Sequence, residues 1–277
     1  MPASVEAMTR MELPAQTLDQ PLGIIAALHD ELRELLDLTH NKRSHHIGNR
    51  EFWSGELQGH PVVLAQCRVG KVAAAATTVA LSTHFHVREV VLTGVAGGIA
   101  PQVAVGDVVV STQLLQHDVD ASPLFPRWEV PLTGLSRFPS DPALVAGLAY
   151  SASLVLADLG SLLGPQTLRD FAVQGPQVHI GLVLSGDRFV STTQECHALR
   201  SALPEALAVE MEGAAIAQVC HEWGVPFVAI RAISDRADDS ADIDFSRFVA
   251  EVGAKYGAGV VQLWLSAQNS ARDSHSD

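Results

Sequence analysis

Apolar residues along this chain follow two rhythms. Residues 22–28 (LGIIAAL) form an unbroken apolar run, the pattern of a strand buried on both faces. The run passes directly into HDELRELLDL, where Leu32, Leu35 and Leu36 lie three and four apart and predict an amphipathic helix. Two short runs at 51–57 and 61–67, separated around Gly59, predict a hairpin. The alanine-rich stretch 70–85 (GKVAAAATTVALSTHF) predicts a helix whose small side chains let it lie close on a sheet. Further strand patterns fall at 89–93, 107–113, 178–184 and 226–232, with helical patterns at 142–156, 194–203, 211–223 and 245–265.

This alternation predicts one α/β domain around a largely parallel or mixed sheet, without internal repeat or interior linker. Residues 1–20 show neither period, and the end of the chain (AQNSARDSHSD) is small and polar. The expected organisation is therefore a working body of residues 21–266 between mobile ends at 1–20 and 267–277.

Composition narrows the function. The 277 residues are 47% hydrophobic and 18% charged, enough for a sizeable core and unlike disordered or disulfide-framed chains. Eighteen Lys and Arg against 31 Asp and Glu give a formal charge of -13 with no basic run, so nucleic acid is not an expected partner. Cys67, Cys196 and Cys220 are odd in number and far apart, which favours reduced thiols and a cytoplasmic location. Glu6, Arg10, Glu12 and Pro14 interrupt any signal-peptide core. The longest charge-free stretch, 90–106, is cut by Gly94, Gly97, Gly98 and Pro101, so no membrane association is expected.

Ligands of open α/β sheets bind beyond the carboxyl ends of strands. The polar residues placed there are Asp30 and Glu31, the segments TGVAGG (93–98) and SGDRFVS (185–191), and the segments VEMEG (209–213) and RAISD (231–235). The glycines of 93–98 predict a tight turn or a close approach to a ligand; their spacing is neither the dinucleotide fingerprint nor a P-loop. After Gly70 and Lys71 comes Val72, where a P-loop carries Ser or Thr. Glu210 and Glu212 flank Met211 at a predicted helix start, where acidic groups ordinarily cap. Asp235 follows an apolar strand and is either an acid–base group or a cap, and Phe189 either a packing residue or a stacking platform. His84 and His86, and His117 with Asp118 and Asp120, lack the companion residues of a metal motif, so no metal is expected.

The ordered segments GIIAALHDE, TGVAGG, SGDRFVS, AVEMEGAAIAQVC and VPFVAIRAISD together resemble the 5′-methylthioadenosine/S-adenosylhomocysteine nucleosidases of the nucleoside phosphorylase superfamily. The resemblance spans about residues 22–265 and is most specific in VEMEG and RAISD. It implies a single-domain three-layer α/β sandwich with a mixed, mostly parallel central sheet flanked by helices. It also implies a homodimer, no cofactor and no metal, and hydrolysis of the bond between adenine and a thio-substituted ribose. In the roles it implies, Asp235 is the general acid toward adenine N7, oriented by Ser234, and Glu31 is the general base for water. Glu212 receives the ribose hydroxyls, Met211 packs on the sugar face, and Arg231 stands near the water. Phe189 stacks on adenine and the Val190 backbone meets its edge, while Gly97 belongs to the substrate side of the glycine segment. Leu28 and Val69 form the slot for the alkylthio group, and the loop 117–131 comes from the partner subunit.

Three departures stand out. Val95 replaces a Ser found in many relatives, removing a hydroxyl from the water or anion side and arguing against phosphate as nucleophile. Leu124 replaces a common aromatic, and residues 159–175 are longer than in compact relatives. Two other readings remain open. A purine nucleoside phosphorylase would need basic and hydroxyl groups around the glycine segment. A non-catalytic nucleoside-binding protein of this fold would be expected to lose one of Glu31, Glu212 and Asp235, and all three are present.

Overall fold

Strand β1 (Leu22–Ala26) is buried at every position because its alternating side chains serve two separate cores. Leu22, Ile24 and Ala26 join one cluster, and Ile25 joins the other. The computed structural model describes residues 19–237 and 245–273, and the same division recurs in its other central strands. In β5 (Glu89–Gly98), Val91 and Val95 face one core while Val90, Leu92 and Ala96 face the other. One core is closed by α1 (His29–Leu38), α3 (Pro142–Ala157) and α8 (Ala254–Asp273). The other is closed by the small-residue helices α2 (Lys71–Ala80) and α6 (Gly213–Trp223), which pack on each other. Helices on both faces of a sheet buried on both sides make the three layers.

The hairpin predicted around Gly59 is present as β3 (Arg50–Leu57) and β4 (His60–Gln66), paired antiparallel. A further strand, β2 (His40–Ile47), extends it outward. That strand has no apolar alternation in sequence because it is an exposed edge, and its run of charged and histidine side chains suits an edge that must not recruit another strand.

Beyond these lie β6 (Val108–Gln116), the short β7 (Phe138–Pro139), β8 (Val178–Ser185), β9 (Ala206–Glu210) and β10 (Phe227–Asp235). The sheet order is β10-β6-β8-β9-β5-β1-β4-β3-β2, and β10 also pairs with β5, so five strands close into a ring. Strand β1 pairs parallel with β4 and β5, and β5 with β10; the seam between β5 and β9 is antiparallel and only two residues long, Gly97 to Val209 and Gly98 to Ala208. Residues 93–98, whose glycines predict a tight turn or a close approach to a ligand, are the second half of β5, so the turn is absent. Their glycines serve close approach. Gly94 has φ of +146°, and a Cβ there would fall less than 3.0 Å from both Glu31 Oε1 and Arg231 Nη1.

The expected tail from residue 267 begins as a continuation of α8, which runs to Asp273; Ala, Gln and Arg in this stretch are good helix formers. The expected extension at residues 1–20 lies outside the described residues except for its last two. Residues 159–175 form α4 (Leu159–Asp170), bent at Gly164, which packs against α3 and the helical turn Val249–Gly253. Among the described residues no single helix is long and apolar enough to cross a membrane.

Gly94→Ala combines a disfavoured backbone conformation with a collision against two buried charged groups. It should lower the free energy of unfolding by about 2 kcal/mol or more. Urea titration of both proteins checks this, and an unchanged midpoint would remove the close approach.

Candidate active site

The ends of β5, β9 and β10, the residues following β1, β4 and β8, and the start of α1 converge on one cleft. Glu31 is the third residue of α1, and its Oε2 accepts the Leu28 N–H at 2.9 Å, which is how an acidic residue caps a helix start. Its Oε1 accepts the Val95 N–H at 3.0 Å, across the gap that Gly94 leaves open. Capping and function therefore coincide: two backbone donors fix a carboxylate that is 3% exposed at the cleft wall. Burial raises its pKa, opposed by Arg231 and by those backbone hydrogen bonds, so Glu31 binds a proton more readily than a solvated glutamate.

At the end of β9 the two glutamates of VEMEG divide the work. Glu210 is the cap of α6, accepting the N–H of Glu212 at 3.1 Å and of Gly213 at 2.9 and 3.0 Å. It also accepts from Ser185 Oγ and pairs with Arg231 Nη2. Because Glu210 holds the first turn, α6 begins at Gly213 rather than at Met211 as its apolar pattern predicts. Glu212 makes no cap; its Oε1 accepts the Gly70 N–H at 2.9 Å, and its Oε2 lies 3.4 Å from Arg231 Nη2. Burial, the neighbouring Glu210 and Glu31 push its pKa up to about 8, against Arg231 and the Gly70 N–H.

Arg231 lies just behind the cleft wall, 1% exposed and beside Glu31, held by Glu210 and Glu212 and donating from Nη1 to the Thr93 carbonyl at 3.3 Å. Burial works against its charge, but Glu210, Glu212 and Glu31 outweigh burial and keep it cationic.

Asp235 reaches the cleft through an irregularity invisible in sequence. The β10–β5 register shifts between Ile233 and Asp235, so Ser234 is an extra residue that re-aims the end of the strand. Ser234 Oγ donates to Asp235 Oδ2 at 2.6 Å, and Asp235 Oδ1 accepts the Ala237 N–H at 2.7 Å. Gly97 makes room, since a Cβ there would sit 2.9 Å from that Oδ1.

The apolar candidates converge on the same cleft. Leu28, Val69 and Met211 line it, with Phe189 and Val190 from the loop after β8. Phe189 meets Phe245 edge-on at 5.9 Å. Sequence reasoning missed Phe245, which had no signal beyond an aromatic at a helix start. It also left Glu210 as an ordinary cap, although the two-residue spacing of Glu210 and Glu212 at a strand end is a signal that both face one way. Asp118, weighed with His117 as a hard ligand, pairs instead with Lys71 Nζ at 2.7 Å and accepts the Asp187 N–H at 2.9 Å. Among the described residues no three or more His, Cys, Asp or Glu groups gather as metal ligands.

A closed five-strand ring with a cleft lined by four carboxylates, Glu31, Glu210, Glu212 and Asp235, defines a class, and the family model described as Phosphorylase superfamily matches residues 21–265. The 5′-methylthioadenosine/S-adenosylhomocysteine nucleosidase of Anoxybacillus flavithermus is 36% identical over 250 residues, 90% of this chain and 99% of that protein. The nucleosidase of Actinobacillus succinogenes is 36% identical over 87% of this chain and 96% of its own length. The Neisseria meningitidis nucleosidase, crystallised with methylthio-immucillin-A, superposes with a TM-score of 0.77 at 35% identity, covering 90% of this chain and 99% of that one. The chain belongs to the 5′-methylthioadenosine/S-adenosylhomocysteine nucleosidase family of this superfamily.

A buried carboxyl with a raised pKa stabilises the fold while protonated. The contribution of Glu212 is therefore complete below its ordinary value of 4.5 and lost as pH rises to about 8. Glu212→Gln should remove this part of the pH dependence, so the stability difference between variant and parent should move in the variant's favour across that window. Urea unfolding at several pH values measures it, and a constant difference would contradict the shift.

Proposed function

We propose that this protein hydrolyses the N-glycosidic bond of 5′-methylthioadenosine and S-adenosylhomocysteine, releasing adenine and the thio-substituted ribose. The observation that carries this reading is the convergence of Glu31, Glu212 and Asp235, from three different elements, on one cleft with an aromatic pair at its edge. As the C1′–N9 bond breaks, its electron pair goes to the base and positive charge develops on the sugar. The site must stabilise both. Asp235, oriented by Ser234, gives a proton to adenine N7; Glu31 takes one from the water whose oxygen bonds to C1′. Glu212 accepts the ribose hydroxyls, Met211 covers the sugar face, and Phe189 stacks on the base. The Val190 backbone meets the adenine edge, and Leu28 and Val69 take the alkylthio group. We place the reaction in methionine salvage and recycling of the activated-methyl cycle, and take residues 21–266 as the catalytic unit.

Phosphorolysis is not favoured. A phosphate nucleophile needs cations beside the glycine segment, but Arg231 is committed behind the cleft, Arg188 is an outer side chain paired with Glu195, and Val95 presents no hydroxyl. Nor does a binding-only role explain three carboxylates kept buried at one cleft. Cys67, Cys196 and Cys220 are all buried thiols, which suits a reducing compartment, and we assign the protein to the cytoplasm.

We further propose a homodimer in which the loop 117–131 closes the partner's cleft. Leu124 in this loop is 84% exposed and the nearby Leu132 91%, apolar surface that a partner would cover.

In purified protein supplied with 5′-methylthioadenosine or S-adenosylhomocysteine, the parent should release adenine. Asp235→Asn and Glu31→Gln should each lose about 100-fold or more in kcat while keeping the fold, because neither amide can transfer the required proton. Near-parental turnover by either folded variant would remove that residue from its role. Leu124→Asp should lower both the mass found by light scattering and the affinity for 5′-methylthioadenosine, since a two-fold interface carries the change twice. A monomeric parent of full activity would end the dimer proposal.

A further inference from the structure

Glu210 lines the floor of the cleft, yet it has no capacity left for substrate. A carboxylate offers about four lone-pair sites. Those of Glu210 are taken by the N–H groups of Glu212 and Gly213, by Ser185 Oγ and by Arg231 Nη2. Ser185 is itself locked, accepting the Ala214 N–H at 2.7 Å. The guanidinium is therefore drawn to the Glu210 side, and its distance from Glu212 Oε2 is 3.4 Å.

We propose that Glu210 is a positioning residue: by holding Arg231 Nη2 on its own carboxylate it keeps the guanidinium at the long end of hydrogen-bond range, 3.4 Å from Glu212 Oε2, and so leaves that oxygen capacity to accept a ribose hydroxyl. This rests on the nucleosidase reading above. The groups facing Glu212 are the Gly70 N–H before α2, Glu210 on β9, Arg231 on β10, Glu31 on α1 and the Cys67 thiol after β4. With Glu210 neutralised, one anion leaves this set and Arg231, already 3.4 Å from Glu212 Oε2, can close on it. Both changes favour the ionised form of Glu212 and fill the oxygen that the sugar needs.

The test compares the parent with Glu210→Gln and with Ser185→Ala, which removes a single donor to Glu210. In ligand-free protein, infrared spectroscopy follows the carbonyl band of the protonated carboxyl against pH, assigned to Glu212 by its loss in Glu212→Gln. The band should vanish at a pH lower by about one unit or more in Glu210→Gln, and by less in Ser185→Ala. The KM for 5′-methylthioadenosine should rise at least tenfold in Glu210→Gln, more than kcat falls. A folded Glu210→Gln with the parental midpoint and KM would overturn the proposal, as would reduced stability with neither shift. If Glu210→Gln does not fold, the infrared midpoint of Ser185→Ala decides in the same way. If the parent releases no adenine, the nucleosidase reading fails while the infrared comparison still decides the placement of Arg231.

Discussion

One buried guanidinium sets the terms for the rest of this structure. Three glutamates, Glu31, Glu210 and Glu212, are each under 10% exposed, and Arg231 at 1% is the cation they surround. An uncompensated carboxylate at such depth would cost several kcal/mol. The fold meets the cost with geometry rather than with more cations: backbone N–H groups at the starts of α1 and α6, one before α2 and one from β5 all point at carboxylate oxygens. Glycines allow the approach, most clearly Gly94, whose missing side chain leaves room for both Glu31 and Arg231.

The same arrangement selects the chemistry. Because Arg231 is neutralised from behind, the cleft offers an incoming nucleophile carboxylates and apolar walls rather than a free positive charge. Water needs only a base and exclusion of competing anions; phosphate needs cations. Val95 supports this choice twice, giving its N–H to Glu31 and turning an apolar side chain toward the cleft and against Gly253. The hydrolytic reading and the Val95 departure thus have a common physical origin.

Much of the architecture is legible in the chain because buried strands and small-residue helices carry strong periodic signals. Strands β1, β4, β6, β8 and β10 stand out as apolar runs, and α2 as an alanine-rich stretch. Edge strand β2 does not, since an exposed edge needs no apolar face, and the 93–98 glycines suggest a turn because close approach and tight turning use the same residue. At the site, segments that resemble a family point to the cleft-lining residues, while roles that depend on long-range contact stay hidden. Nothing local in VEMEG reveals that Glu210 binds Arg231, and nothing local in RAISD that an extra residue in β10 re-aims Asp235. Those facts arise from strands about twenty or more positions apart meeting at a closed ring.

The central claim is that the guanidinium is spent internally, so that water alone reaches C1′. Product analysis of 5′-methylthioadenosine turnover in a large excess of phosphate tests this most directly. The account predicts adenine and free methylthioribose in equal amounts, no sugar 1-phosphate, and a rate that does not rise with phosphate. Accumulation of a sugar 1-phosphate, or turnover that requires phosphate, would contradict it.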